Sequence, residues 1–239
     1  NSIVLTDVTS PGDKYSLRDL VKTGDFKGQG SGGGSDNTKL NESSVCLWAA
    51  VYQESRSSSL PVVRKLAKQE SVSKHYDVDS DVQDMIDQQD KTWLLHYERV
   101  SEFIKDKIAD RDTYVFHRNS KFVQTIYNKF ISLNAQSVDP FGNPNKWNPA
   151  DIWAVSTALD EREFAEKLNS AMDIVSLNNI LIDYYNRREV IGISLKLTKT
   201  SVHSREYNID SKRPTATFLS HEVGAVSYTH LTLPTILLV

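Results

Sequence analysis

Two short apolar runs constrain this chain most. Ile152-Trp-Ala-Val155 follows Asn148-Pro149-Ala150-Asp151, where Pro149 disfavours a helix immediately before it. Val190-Ile-Gly-Ile-Ser-Leu-Lys-Leu-Thr198 alternates, with Ile193, Leu195 and Leu197 on one face and Ser194, Lys196 and Thr198 on the other. Both read as strands. Around them, apolar residues recur at steps of three and four, the period of a helix with one buried face. Strands interleaved with such helices read as an α/β chain.

The helical segments are read as follows. Asp36 or Asn37 can cap a helix reaching about Glu54, with Leu40, Leu47, Trp48, Val51 and Tyr52 as its buried stripe and Glu42 in its first turn. Residues 60–133 read as mostly helical: Trp93, Tyr97, Val100, Ile104 and Ile108 share one face, and Phe122, Ile126 and Phe130 another. Thr113–His117 between them is a short strand, and the acidic stretch Asp77–Asp90 is a solvated helix face and its loop. Asp160 can cap one or two further helical segments, Phe164–Met172 and Leu177–Tyr185. Residues 1–36 form an extended, Gly-rich N-terminal segment. Gly28–Ser35 is flexible by composition and lacks the Gly-Lys-Ser/Thr that a phosphate-cradling loop needs.

Composition excludes several classes. The chain has 239 residues, long enough for a sizeable core, and no apolar run long enough for a transmembrane helix. Its single cysteine, Cys46, excludes an internal disulfide framework and a multi-cysteine zinc site, and reads as a small buried hydrophobe. A net charge of −3 argues against a uniformly basic surface but leaves room for a local cleft that binds nucleic acid. Arg56, Arg64, Lys65 and Lys68, with Lys199 and Arg205, are candidates to track a DNA backbone; a solvated surface explains them equally well. The six histidines show no metal-ligand spacing and read as structural or exposed. Ser194 lacks the Gly-x-Ser-x-Gly turn of a hydrolase nucleophile.

Three polar residues stand where strand and helix physics would not volunteer them: Asp151 at the mouth of one strand, Lys196 within another beside Ser194, and Glu42 on an apolar helix. Carboxylates meeting at strand ends can hold Mg²⁺, which prefers a few carboxylate oxygens plus waters. A lysine beside them can orient a water or stabilise charge on a phosphate. Each residue also has a plain structural role open to it. Asp151 can form a turn, Lys196 can guard an edge strand, and Glu42 can favour a helix dipole.

Asn148-Pro-Ala-Asp151 followed by Ile193-Ser-Leu-Lys196 resembles the PD-(D/E)xK nuclease superfamily. The wider layout, with Lys22-Thr23, the Gly28–Gly34 loop and Glu42, resembles uncharacterised tailed-phage proteins. The resemblance implies a restriction-endonuclease-like core, a central mixed sheet flanked by helices, within 37–225 and with a large helical insertion at about 60–135. A second helical insertion, Asp160–Glu189, separates the paired strands. It implies that Asp151, Glu42 and the Leu195 carbonyl bind Mg²⁺ (or Mn²⁺) and that Lys196, Asp151 and Glu42 form the catalytic set, with Ser194 and Lys22 secondary. Ser194 stands where the family has Asp or Glu, and Glu42 can compensate. The implied activity is Mg²⁺-dependent DNA endonuclease chemistry. The alternative is a non-catalytic phage virion or DNA-packaging protein with the same fold. DNA is the expected partner, a homodimer an open possibility, and no membrane is involved. The location expected is host cytoplasm or virion, with no signal or transmembrane segment in the fragment.

Val226-Ser-Tyr-Thr-His-Leu-Thr-Leu-Pro-Thr235 resembles a translated sequencing adapter. Residues 226–239 are therefore expected to be a non-native tail, and the native chain to be longer at both ends. A genuine strand is the competing reading, because Leu231, Leu233 and Ile236–Val239 are strand-like.

Overall fold

The computed structural model describes residues 4–6, 14–16, 36–87, 91–137, 140–142, 147–148, 150–196, 201–207 and 235–238. Two units are distinguished, Asn1–Asn37 and Thr38–Val239. In the first, β1 (Val4–Thr6) and β2 (Lys14–Ser16) pair antiparallel. Lys22 and the Gly28–Gly34 loop lie outside the described residues.

The second unit is mixed α/β. Its helices are α1 (Asp36–Ser55), α2 (Leu60–Leu66), α3 (Glu70–Ser73), α4 (Val82–Asp87), α5 (Lys91–Phe103, continued by a π-turn at Ile104–Ile108), α6 (Lys121–Asn134), α7 (Glu161–Ser170) and α8 (Ile174–Asn186). Its strands are β3 (Tyr76–Val78), β4 (Tyr114–Arg118), β5 (Ile152–Ser156), β6 (Val190–Ser194), β7 (Ser204–Tyr207) and β8 (Thr235–Leu238). They form one sheet in the order β3-β4-β5-β6-β8-β7. The β3–β4 and β6–β8 pairs are parallel and the others antiparallel, so the sheet is mixed.

Every residue of β5 and β6 is buried. Helices therefore cover both faces, and alternation along the strands sorts side chains into two cores. Tyr114, Phe116, Ile152, Ala154, Ile191 and Ile193 pack with Trp48, Tyr97 and Ile104 on one side. Trp153, Val155 and Val190 pack with Phe130, Trp147, Phe164 and Leu177 on the other. The chain turns sharply into α7 and α8 because Asp160 and Asp173 accept bonds from first-turn amides; at Asp173 the Ser176 side chain completes a capping box.

Four sequence expectations are corrected. α1 is buried all round from Ser43 to Val51 rather than along one stripe, because Ser43, Ser44, Ala49 and Ala50 are small enough for neighbours to approach on every side. Since α1 begins at Asp36, Glu42 lies in its second turn, out of reach of the helix dipole's strongest field. The acidic stretch opens with β3, a strand in place of the expected helix face; residues 60–135 thus carry β3 and β4 as well as helices. β6 ends at Ser194, so Lys196 lies just beyond the strand and is exposed. Thr235–Leu238 sits as β8 between β6 and β7. The rest of the adapter-like peptide lies outside the described residues, as do Leu197 and Thr198.

Candidate functional site

Strand register delivers polar side chains to one end of the sheet. Val78 pairs with Arg118, which puts Asp79 beside Arg118 at the ends of β3 and β4. β4 runs antiparallel to β5 with His117 opposite Trp153, so Arg118 lies beside the start of β5 and Asp151. Ile152 pairs with Ile193, and the Asp151 amide donates to the Ile193 carbonyl at 2.9 Å, bringing Asp151 level with the end of β6. The strands thus bring Asp79, Arg118, Asp151 and Ser194–Lys196 together, and α1 adds Glu42.

Asp151 is held firmly. The Leu195 backbone N–H donates to Oδ2 at 2.6 Å and the Ser194 hydroxyl donates to the same oxygen at 3.1 Å. Among the described residues no donor reaches Oδ1. Two hydrogen bonds tie described residues just before Asp151: Trp147 Nε1–H donates to Asn178 at 2.9 Å, and Asn148 Oδ1 accepts the Ala150 amide at 3.0 Å. Burial raises the Asp151 carboxyl above the ordinary carboxylate range. The two hydrogen bonds and the charges of Lys196 and Arg118 oppose the rise without cancelling it.

Glu42 has 15% of its side chain exposed and accepts from Arg118 Nε at 2.9 Å through Oε2. Burial raises its carboxyl, and the charge of Asp151 raises it further; Arg118 only partly offsets both. Asp151 is therefore close enough for its charge to resist the ionisation of Glu42. Arg118 also donates through Nη1 to Asp79 Oδ1 at 2.5 Å, and Asn119 Nδ2 donates to Asp79 Oδ2 at 2.8 Å. Burial works against an ionised Asp79, but these bonds outweigh it and hold the carboxyl below its ordinary range.

The structure thus brings Glu42, Asp151, Ser194 and Leu195 into one cluster, with Lys196 exposed at its rim within electrostatic reach of Asp151. Arg118 and Asp79 escape the sequence reading. The available signal was the position of Arg118, one residue past the strand pattern Thr113–His117. Among the described residues, no three His, Cys, Asp or Glu side chains gather as a metal cage. Cys46 is buried, which pushes its thiol up. His75, His96 and His117 are buried and His203 is exposed, while His221 and His230 lie outside the described residues. Arg56 is turned to Asp106 at 2.8 Å, which neutralises part of the expected basic patch; Lys199 lies outside the described residues. Buried Lys105 donates to the carbonyls of Ala109 and Asp112, a structural role in closing the π-turn.

A carboxylate whose proton affinity is raised in the fold costs stability at neutral pH, where it must stay charged. The penalty is relieved as pH falls through its folded-state pKa. Asp151→Asn keeps an oxygen for the Leu195 and Ser194 donors and removes the charge. It is expected to raise stability at pH 7.5 by about 1 kcal/mol, read as a higher urea midpoint with unchanged slope. A lower midpoint would mean that Asp151 is a structural cap whose charge is needed.

No protein-family model, curated protein or solved structure matches the chain. Among the described residues, no helix is long and apolar enough to cross a membrane.

Proposed function

We propose that this chain is a Mg²⁺-dependent phosphodiesterase acting on DNA, built on a restriction-endonuclease-like core. The observation that carries this reading is the pair of partly buried carboxylates, Glu42 and Asp151, brought to the sheet end where Lys196 emerges, with the charge of Asp151 acting on Glu42. Clustered groups of like charge with raised proton affinity are characteristic of working sites.

The donor set suits a hard cation. Glu42 Oε1 and Asp151 Oδ1 have no donor among the described residues, and two carboxylate oxygens completed by waters are the usual complement for Mg²⁺. The Leu195 carbonyl is the third ligand in this reading. The cation supplies a more acidic bound water and neutralises charge on the phosphate. The chain's own groups do the rest. Leu195 N–H and Ser194 hold Asp151 in one orientation. Lys196, exposed and three residues from buried Ile193, can reach a scissile phosphate and stabilise its developing charge. A tailed-phage origin, and host cytoplasm or virion as the location, belong to the same reading.

The test is plasmid nicking with Mg²⁺ or Mn²⁺. Asp151→Ala and Lys196→Ala are each expected to lose about a hundredfold or more in rate relative to the unaltered chain. Equal cleavage by all three would discard the enzyme. A second reading, a non-catalytic virion or packaging protein with this fold, draws on Ser194: its hydroxyl donates to Asp151 where the family carries a metal-binding carboxylate. That reading expects no cleavage by any of the three and no binding of Mn²⁺.

A further inference from the structure

We infer that Arg118 is a positioning residue of this site: with Asp79 and Asn119 behind it, it presents Glu42 to the cation in a single orientation. The inference rests on the metal-site reading above and adds to it a residue that neither the cation nor the phosphate need touch.

The geometry is that of a brace. Arg118 has only 13% of its side chain exposed, and its guanidinium donates in two directions, through Nε to Glu42 and through Nη1 to Asp79. Two bonds to one planar group fix its plane, as the freely rotating ammonium of a lysine could not. Asp79 is itself braced by Asn119. Asn119 has φ 51°, in the left-handed region that asparagine tolerates better than most side chains, and this turn aims its amide back at Asp79. A second tie, Ser43 Oγ to Ser80 Oγ at 2.8 Å, joins α1 to the turn beyond β3 next to Glu42.

This bracing has a consequence for Glu42. Arg118 occupies Oε2 and leaves Oε1 as the oxygen available to a ligand. Its positive charge also offsets the repulsion between Glu42 and Asp151, so both can stay close before any cation arrives. Groups that orient ligands from outside the coordination shell are typically worth about 10–100-fold in metal affinity.

The experiment measures Mn²⁺ affinity and stoichiometry for the full chain by calorimetry and by electron paramagnetic resonance of free Mn²⁺. The variants are Arg118→Gln, Arg118→Lys, Asp79→Asn, the Asp79→Asn/Arg118→Gln double variant and Asp151→Ala. Arg118→Gln is expected to weaken binding about tenfold or more, and Arg118→Lys to recover only part of the loss. Asp79 makes no hydrogen bond to Glu42 and is tied to it by contact only through Arg118, its own charge adding a weaker repulsion that raises the Glu42 carboxyl. Asp79→Asn alone should therefore weaken binding severalfold, yet add little in the double variant. A staple with no role at the site would lower the melting temperature and leave Mn²⁺ affinity untouched. Unchanged affinity in Arg118→Gln, or full additivity in the double variant, overturns the inference. Should Arg118→Gln fail to fold, wild-type affinity in both Asp79→Asn and Arg118→Lys overturns it instead. Mn²⁺ binding that is lost in Asp151→Ala but indifferent to Arg118 defeats this inference alone. No binding by the unaltered chain defeats the metal-site reading together with it.

Discussion

Trp147→Ala is expected to destabilise the protein by about 4 kcal/mol or more, a large part of the stability of an ordinary domain. Trp147 is fully buried, and its ring lies 4.0 Å from that of Phe130 at an interplanar angle of 7°, with Tyr127 edge-on to it. Truncating a buried tryptophan costs about 3–5 kcal/mol in lost burial and cavity. It also removes the Nε1–H that Asn178 accepts, leaving a buried acceptor unsatisfied at a further cost of about 1–3 kcal/mol. Trp147→Phe keeps a ring to stack on Phe130 but loses the hydrogen bond, worth about 1–3 kcal/mol, together with the part of the indole that a phenyl ring does not fill, so it should fall between the parent and Trp147→Ala. Urea unfolding at pH 7.5 reads both. A Trp147→Ala midpoint within error of the parent would mean that this ring does not anchor the second core.

Acidification from pH 6.5 to about 4 is expected to cost up to about 3 kcal/mol through His96 alone. His96 is buried in the first core, against Trp93 and Tyr97, and burial lowers its pKa to about 4. Above pH 6.5 the imidazole is neutral in both folded and unfolded chains and contributes no pH dependence. Below 6.5 the unfolded chain takes up a proton that the folded chain refuses, and stability falls until the folded-state pKa is reached. His75 and His117 are lowered by burial too and add to the same slope, although Asp77, 3.6 Å from His117, works against the shift there. Glu42 and Asp151 act with the opposite sign, because their raised carboxyls favour the folded state as they become protonated. Urea midpoints at pH 8, 6.5, 5.5 and 4.5 should fall toward acid, and His96→Leu should flatten the curve over that window. A parallel curve for His96→Leu would show that this imidazole takes up its proton in the fold as readily as in the unfolded chain.

The two strands that open and close the site were legible because their apolar runs have no other use. Ile152–Val155 and Val190–Ile193 are too short and too apolar for amphipathic helices and too buried for loops. β3 was not legible. Tyr76-Asp-Val78 alternates over only three residues inside an acidic stretch, and it becomes a strand only because the edge of β4 offers it partners. The same limit hid the buried circumference of α1, since small polar residues look solvated until tertiary packing closes on them.

The candidate site divides in the same way. Asp151, Lys196 and Glu42 could be singled out because each interrupts an apolar pattern, which is a local property. That Arg118 bonds Glu42 and Asp79 is a consequence of β4 lying between β3 and β5, and residues 39 and 76 positions apart in the chain have no local signal of their meeting. Sequence by itself determined which segments must be buried, since apolar spacing is enforced by water wherever the chain goes. Tertiary structure alone decided which charges share a space, because that depends on strand order and register, and electrostatic coupling acts through distance in the fold rather than along the chain.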